Sequence, residues 1–464
     1  MLLPIIVSLI YGEDWVPFVA TGVIAAILGF VIDAICKDDS GTILAIDGFA
    51  IVSFSWIFMS LIGMLPFLFS GEIPSVADAF FETVSGFTTT GASILVDVEA
   101  MSHGMLFWRS FTHWVGGMGI LVFVVAIANK MPGRTVNIMR AEMPGPSMDK
   151  LVPKARKNAE FLYRMYIALT LLEIIVLICE GMPVFDSIVH SLGTAGTGGF
   201  GIRGDSLSSY TSLNQWTIAL FMLIFGVNFN LYYLIIAKRF RNVLRSNEFR
   251  TYIGIAATST IIIAITLGST YKHWYTALRH AFFQVASVLT TTGYATADFN
   301  AWPHIARSIL LILMFIGGCS GSTAGGLKVS RVVVLAQSIR NQLHKMISPR
   351  SVSSVHLDGR KVDDEVVNKI SLYFALYILV MIISFLAISF EPWSMDTNFS
   401  AVVACFNNIG PGFGLVGPAG NYSMYTDFSK FVLAFTMLLG RLEIYPLLLV
   451  FAHTGRRRVN IKEV

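Results

Sequence analysis

The chain has 464 residues, 55% of them hydrophobic and only 13% charged, with a mean hydropathy of +0.68. Soluble domains carry about 25% charged residues, so a soluble fold is excluded and an all-α, multi-pass membrane protein is expected. The formal net charge is +4, and the four cysteines (Cys36, Cys179, Cys319, Cys405) are far apart without CxxC spacing, which indicates neither a disulfide framework nor a zinc site.

Leu2 to Tyr11 is apolar but too short to span, and it lacks the basic n-region and cleavage site of a signal peptide. It is expected to be a trimmed first helix, forming a hairpin with Val16 to Ile35 that turns outside at Gly12-Glu13-Asp14. Cys36 to Ser40 joins that hairpin to the rest on the cytoplasmic side. Basic residues then cluster in four segments, Lys130 to Arg164, Lys238 to Arg250, Lys328 to Lys369 and Arg456 to Lys462, with 8, 5, 8 and 4 of the 33 Lys and Arg. The positive-inside rule places all four in the cytoplasm. Basic patches also bind nucleic acid, but beside membrane spans they are read as setting orientation, and no nucleic-acid partner is expected.

Between these segments lie four units of one plan: an outward helix, a shorter re-entrant helix, a Gly-rich loop and a returning helix. Unit 1 uses Ile46 to Phe69, Pro74 to Phe87 and Met105 to Asn129. Unit 2 uses Phe161 to Gly181, Phe185 to Leu192 and Leu213 to Lys238. Unit 3 uses Tyr252 to Ser269, Trp274 to Leu289 and Ile305 to Leu335. Unit 4 uses Ile370 to Phe390, Asp396 to Asn408 and Phe428 to Thr454. The division is residues 1–42 for the hairpin, then 43–130, 131–250, 251–345 and 346–464 for the repeats.

The loops share a motif. Thr88-Thr89-Thr90-Gly91 recurs as Thr290-Thr291-Thr292-Gly293, and more loosely as Thr197-Gly198-Gly199 and Gly410-Pro411-Gly412. Aligned on the glycine before Ala, Phe, Tyr or Phe, the copies centre on Gly91, Gly199, Gly293 and Gly412, 108, 94 and 119 residues apart. Irregular backbone at membrane depth is tolerated only where protein buries it or it lines a wet cavity. Four such loops around one axis would offer oxygens that replace the hydration shell of a monovalent cation. The structural alternative is that small residues merely ease helix packing; recurrence at four equivalent places favours the ion pathway.

Two further features need a chemical reading. Gly317-Gly318-Cys319-Ser320-Gly321-Ser322-Thr323-Ala324-Gly325-Gly326-Leu327-Lys328 interrupts the third return helix. Its five glycines in ten residues cost a helix about 1 kcal/mol each, so a mobile loop is expected rather than a simple kink. A phosphate-binding P-loop fails here, because the segment follows an apolar helix and lacks the Gly-Lys-Ser/Thr ending. Arg441 is an ionisable residue within a span, expensive unless it faces a cavity or a partner. It lies two residues from Glu443, so the two do not share a helix face.

These stretches resemble the Trk/Ktr superfamily of potassium transporters, closest to its TrkH membrane subunits. The resemblance rests on Phe81 to Ser93, the loops at Gly193 to Phe200, Thr290 to Tyr294 and Asn407 to Gly414, the run Gly317 to Lys328, and Trp114-Val115-Gly116-Gly117-Met118-Gly119. It implies four fused helix–pore-loop–helix repeats around one pseudo-fourfold pore, in a bacterial cytoplasmic (inner) membrane protein that takes up potassium. It carries the K⁺ filter role onto Thr89, Thr90, Gly91, Thr197, Gly198, Gly199, Thr291, Thr292, Gly293, Gly410, Pro411 and Gly412. It makes Gly317, Gly318, Ser320, Gly321, Ser322, Thr323, Gly325 and Gly326 part of a gating loop, with Arg441 beside it in the pore. It further implies a homodimer and a TrkA-type cytosolic nucleotide-binding regulatory subunit; the basic inner face suits that partner or anionic lipid. The N-terminal hairpin is shorter than is usual for the family.

Fewer hydroxyls and a proline in the second and fourth loops predict softer discrimination against Na⁺ than a symmetric channel gives. Among the acids, Asp97, Glu99, Asp205 and Asp427 are read as solvated outer residues and Asp298 as the best cation-concentrating candidate. Glu82 and Glu173 are read either as proton-coupling sites or as packed structural carboxyls. His113, His190 and His280 are expected to be hydrogen-bonded structural residues. Alternatives to a gated pore are an H⁺- or Na⁺-coupled symporter with alternating access, and a membrane enzyme. The enzyme reading lacks a nucleophile–base pair or metal spacing, so no catalytic residue and no organic cofactor are expected.

Overall fold

The computed structural model describes residues 1–35, 45–119, 155–351 and 353–453. The Cys36 to Ser40 connector, the last residues of the first return run, most of the Lys130 to Arg164 segment and the Arg456 to Lys462 cluster lie outside those residues. Apart from a two-residue β-hairpin, the regular structure among the described residues is helical.

The N-terminal hairpin consists of α1 (Leu2–Tyr11) and α2 (Val16–Ile35), with Gly12 in the left-handed conformation that ends α1. Unit 1 has the outward α3 (Ala45–Gly63) and α4 (Leu65–Ser70), the pore helix α5 (Val76–Phe87) and the return helix α6 (His103–Gly117). Unit 2 has α7 (Ala155–Cys179), pore helix α8 (Val184–Gly196), α9 (Ser212–Phe225) and α10 (Phe229–Ile236). A short α11 (Phe240–Arg245) precedes unit 3, made of α12 (Asn247–Leu267), pore helix α13 (Trp274–Leu289), α14 (His304–Ile316) and α15 (Val329–Ile347). The hairpin β1 (His356–Leu357) and β2 (Arg360–Lys361) leads to unit 4: α16 (Asp364–Ile388), pore helix α17 (Met395–Phe406), α18 (Asp427–Arg441) and α19 (Tyr445–His453).

Among the described residues, five helical stretches are long and apolar enough to cross a bilayer: Val16–Ile35, Asp47–Ser70, Ala159–Cys179, Asn247–Leu267 and Asp364–Ile388. Their apolar side chains point outward as well as inward; Phe30, Ile265 and Leu386 are all largely exposed. That pattern suits a surface solvated by lipid, where exposure of a large side chain costs nothing. The protein is a multi-pass membrane protein.

Each outward helix packs on the pore helix of its own unit (α3 on α5, α7 on α8, α12 on α13, α16 on α17). Each pore helix also packs on a return helix of a neighbouring unit: α5 on α18, α8 on α6, α13 on α9 and α17 on α14. Four such steps close a ring, the pseudo-fourfold bundle that the repeats implied.

Carboxylates tie three return helices at their outer ends, Glu391 buried and Glu72 and Glu180 partly so. Glu72 accepts from the Ser102 backbone N–H (3.2 Å) and hydroxyl (2.7 Å) at the start of α6. Glu180 accepts from Asn214 (3.1 Å) and Thr217 (2.5 Å) in the first turns of α9. Glu391 accepts from the Thr426 backbone (3.0 Å) and the Ser429 hydroxyl (2.6 Å) at the start of α18. Acidic groups are favoured there by the partial positive charge of a helix N-terminus. Glu13, in the turn of the N-terminal hairpin, adds a second cap on α6 through the backbone N–H groups of His103 and Gly104 (both 3.0 Å).

The return helices depart from expectation. The run Leu213 to Lys238 is not one helix: α9 and α10 meet at 93°. The cause is local. Gly226 lies so close to its surroundings that a Cβ would sit 2.5 Å from the Tyr252 hydroxyl. Its carbonyl accepts from the Cys319 N–H (2.9 Å) instead of continuing the helix, and the Asn228 side chain caps the new segment on the Asn230 N–H (2.9 Å). Phe428 to Thr454 also breaks, with Glu443 and Ile444 at φ 56 and 65° before α19 restarts at Tyr445-Pro446. Pro446 fits the first turn of the new helix, where its missing N–H has no helical partner to lose. In unit 1, α6 ends at Gly117 and Gly119 turns at φ 81°.

Candidate functional site: a four-part ring and the layer beneath it

Every pore helix ends in the same turn. The N–H groups of Thr90, Gly198, Thr292 and Ile409 donate to the carbonyls of Ser85, Gly193, Ser287 and Ala404 at 2.9, 2.9, 2.8 and 2.8 Å. In each turn the residue before the donor is left-handed and is not glycine: Thr89, Thr197, Thr291 and Asn408 have φ of 56, 56, 57 and 55°. For a β-branched residue that conformation is an outlier, and such strain persists only where the surroundings over-determine it. The residue after the donor is a left-handed glycine, Gly91, Gly199, Gly293 or Gly410, at φ 77, 75, 88 and 92°.

These glycines interlock with the next unit around the ring. A Cβ on Gly91 would lie 1.9 Å from the Gly198 carbonyl oxygen, on Gly199 1.9 Å from that of Thr292, and on Gly293 2.1 Å from that of Ile409. One on Gly410 would lie 2.6 Å from the Thr90 oxygen, which closes the circle. All four glycines line one depression open to the outer side. The oxygens of Thr90, Gly198, Thr292 and Ile409 therefore stand at one level around one axis. The pore helices run into them C-terminus first, each adding about half a negative charge.

The register of the fourth turn corrects the sequence alignment. The counterpart of Gly91 is Gly410, two residues before Gly412. Gly412 sits behind the ring, its N–H bonded to the Val416 carbonyl (2.7 Å) and its Cα against Ser400. Pro411 follows the ring glycine and lines the mouth, so the backbone ring is more even than expected. The side chains remain uneven. Thr88 and Thr290 pair with Thr90 and Thr292 through hydroxyls at 2.8 Å. In unit 4 the amide of Asn408 instead donates to the Thr90 hydroxyl (2.9 Å) and the Met437 carbonyl (3.0 Å).

The ring is braced from behind. Glu82, which is fully buried, pairs with Arg109 (2.8 Å) and accepts from the Ser93 hydroxyl and the Ile94 N–H (both 3.0 Å), so it holds the chain leaving the first turn. This favours the packed structural reading of Glu82. The Tyr422 hydroxyl donates to the Gly410 carbonyl (2.7 Å), and that of Tyr294 to the His190 carbonyl (3.1 Å). His190 bonds the Asp186 carbonyl (2.8 Å) and His280 the Thr296 hydroxyl (2.9 Å), as expected of structural histidines. His113 differs: neither ring nitrogen is hydrogen-bonded, and its ring stacks on Phe200 with centroids 4.2 Å apart, against Gly198.

On the inner side, residues 317–328 form a closed loop. Its neck is tied by Leu327 N–H to Phe315 O (3.3 Å), Lys328 N–H to Ile316 O (2.9 Å) and Val329 N–H to Gly318 O (3.0 Å). Gly317 and Gly326 make the neck possible, since a Cβ on Gly317 would be 2.9 Å from the Gly326 Cα. The loop's tip reaches the ring: the Gly325 N–H donates to the Thr291 hydroxyl (2.7 Å), and the Gly325 Cα abuts the Asn407 carbonyl. Ser322 closes a turn onto the Cys319 carbonyl (2.6 Å), and Thr323 donates to Phe225 (3.3 Å). Gly321 O accepts from Phe229 N–H (3.0 Å), so the bend between α9 and α10 is a seat for the loop.

Arg441 spans three units at this level. It leaves α18, donates to the Thr323 carbonyl of the loop (2.8 Å), and donates to the Gly116 and Gly117 carbonyls of α6 (2.6 and 2.7 Å). Glu443 takes a different partner, Arg331 of α15, whose guanidinium also lies 4.3 Å from the Tyr373 ring centroid. The outer acids have local jobs. Asp298, exposed, caps the Asn300 N–H (2.9 Å), and Asp97 caps that of Glu99 (3.0 Å); neither lines the depression. Arg109 and Arg203 do line it, a feature that sequence reading missed.

A family model described as "TrkH: Cation transport protein" matches residues 16–458. The chain is 38% identical over 462 residues to the Trk system potassium uptake protein TrkH of Salmonella typhimurium, covering 98% of this chain and 95% of that one. It is 37% identical to the Escherichia coli K12 protein of the same name, over the same shares. Among solved structures, the crystal structure of the potassium transporter TrkH from Vibrio parahaemolyticus superposes with a TM-score of 0.88 at 33% identity, covering 98% of this chain and 96% of that one. With ring, loop and Arg441 arranged as above, and with similarity along nearly its whole length, the chain belongs to the TrkH family of cation transport proteins.

Proposed function

We propose that this protein takes up potassium across the bacterial cytoplasmic membrane through one central pore, with the ring of four turns as its selectivity filter. The observation that carries the reading is the closed ring: four glycines at positive φ, each against a carbonyl oxygen of the next unit. Carbonyls fixed at one level replace the water around a monovalent cation. The filter residues are Thr89, Thr90 and Gly91, then Thr197, Gly198 and Gly199, then Thr291, Thr292 and Gly293, then Asn408, Ile409 and Gly410. The relatives named as potassium uptake proteins supply the ion.

The gate is the loop from Gly317 to Lys328 together with Arg441. Its tip touches the inner edge of the filter, and Arg441 places a fixed positive charge where a cation must pass. Opening withdraws the loop from Thr291 and frees Arg441 from Thr323. The force comes from a TrkA-type nucleotide-binding subunit on the basic cytosolic face, and two copies of the chain work as a homodimer; both partners are inherited from the resemblance. Purified protein in liposomes tests the mechanism, with K⁺, Na⁺ and pH gradients imposed separately. Potassium flux down its own gradient alone is expected; a requirement for a second gradient overturns the channel reading.

One observation favours the coupled alternative. Glu173 of α7 is fully buried and faces Thr194, whose hydroxyl donates instead to the His190 carbonyl (2.9 Å), leaving the carboxyl without a hydrogen bond. If flux proves proton-driven, Glu173→Gln should abolish the coupling.

A further inference from the structure

One side chain holds both ends of the 317–328 loop, and it belongs to neither the loop nor the return helix. Glu248 lies in the first turn of α12 and is nearly fully buried. Its Oε1 accepts from the Ser320 N–H (2.6 Å) on the entering strand of the loop and from the Ser330 N–H (3.2 Å) just past its exit. The hydroxyls of Ser320 and Ser330 are hydrogen-bonded to each other beside it. Helix α12 does not need this carboxylate as its cap, because Ser246 already accepts from the Phe249 N–H (3.4 Å). A buried carboxylate bonded to two backbone donors is a strong clamp, since hydrogen bonds to a charged acceptor are about twice as strong as neutral ones.

We infer that Glu248 is a positioning residue for transport: it clasps the neck of the loop and sets how readily the gate opens. The inference rests on reading the loop as the gate. Without the clasp, the remaining neck bonds are neutral backbone pairs, and the two arms can part between Gly318 and Val329. The clasp also has a handle on the cytosolic side. The N–H of Asn247, the preceding residue, donates to Asp358 Oδ1 (2.7 Å) in the exposed turn of the β1–β2 hairpin. Movement of that hairpin is thereby passed to α12 at the point where the loop is held.

The test is potassium flux by the full-length chain in liposomes, without the cytosolic partner. Glu248→Ala should raise basal flux roughly tenfold to hundredfold, the loss of a hydrogen-bonded charge, with K⁺/Na⁺ discrimination unchanged because the filter is untouched. Glu248→Gln keeps an acceptor of the same shape, should raise flux less, and carries the test if the alanine variant fails to insert. Placing cysteines at Ser320 and Ser330, in a Cys319→Ala and Glu248→Ala background, should restore low flux on oxidation and release it on reduction; a general loosening of the fold would not respond. Unchanged or lower flux in well-folded Glu248 variants overturns the clasp. Deleting Ser322 to Ala324 separates the two readings. High flux in that deletion with unchanged Glu248 variants sinks the clasp alone, whereas no rise in either sinks the gate reading as well.

Discussion

At the level of Gly91, Gly199, Gly293 and Gly410 the four units are nearly interchangeable, down to the same φ angles and the same hydrogen bond in each turn. Just inside that ring no two units are alike. Unit 1 ends its helix at Gly117, unit 2 bends by 93°, unit 3 inserts the loop, and unit 4 breaks at Glu443 and Ile444 after presenting Arg441. Enclosing a spherical ion needs equal backbone from all sides, so divergence of the repeats is confined there to side chains. Opening and closing need one part to move against the rest, which favours unequal parts. On the proposed reading of the ring as filter and the layer beneath it as gate, the two diverged under different physical demands.

The sharpest way to break this comparison is in the ring. Gly410→Ala puts a methyl group against the Thr90 oxygen at φ 92°, a conformation that costs an L-residue about 1–2 kcal/mol before the clash is counted. It should abolish selective K⁺ flux. Gly412→Ala meets only Ser400 and Val416 behind the ring, so it should lower the yield of folded protein and leave the selectivity of what folds. Equal loss of selectivity in both variants would contradict the two-residue shift. In the inner layer, Arg441→Ala removes three hydrogen bonds of a charged donor and should raise basal flux about tenfold or more. Flux that is unchanged or lower in folded protein would make Arg441 a structural brace.

Smaller effects sharpen the same contrast. Glu443→Gln strands Arg331 in a largely buried site and should cost about 3 kcal/mol in stability; a double-mutant cycle with Arg331→Met isolates the pair. Asn408→Thr gives unit 4 the residue of its three counterparts but loses the bonds to Thr90 and Met437. A change of about fivefold in K⁺/Na⁺ discrimination is expected from the lost bond to Thr90 of the ring, worth about 1 kcal/mol. No change there would place selection in the backbone alone.

How much of this was legible depended on the distance over which each signal acts. Spans and repeats follow from local hydropathy, and the helix Trp274–Leu289 has the limits its sequence suggested. The fourth register was lost because Asn407-Asn408-Ile409 replaces the threonines and Gly-Pro-Gly offers two glycines. Counting from the pore helix recovers it, since Phe87 and Phe406 stand equally far before Gly91 and Gly410. The cytosolic hairpin is written in Asp358-Gly359, a strong turn dipeptide, but the charge of Lys328 to Lys369 speaks only to orientation. The clasp at Glu248 and the caps at Glu13, Glu72, Glu180 and Glu391 were not legible at all. Each joins residues from different helices, and nothing local distinguishes such a carboxylate from a solvated one.

Those caps have a mechanical consequence. Three return helices are pinned at their outer ends by a carboxylate from their own unit. Helix α14, which carries the loop, begins after Pro303 with no side-chain cap. In amide hydrogen exchange, the first turns of α14 should open before those of α6, α9 and α18. On the proposed reading of the loop as gate, slack at the far end of this lever would let the third unit tilt as a body while its neighbours keep the ring's shape.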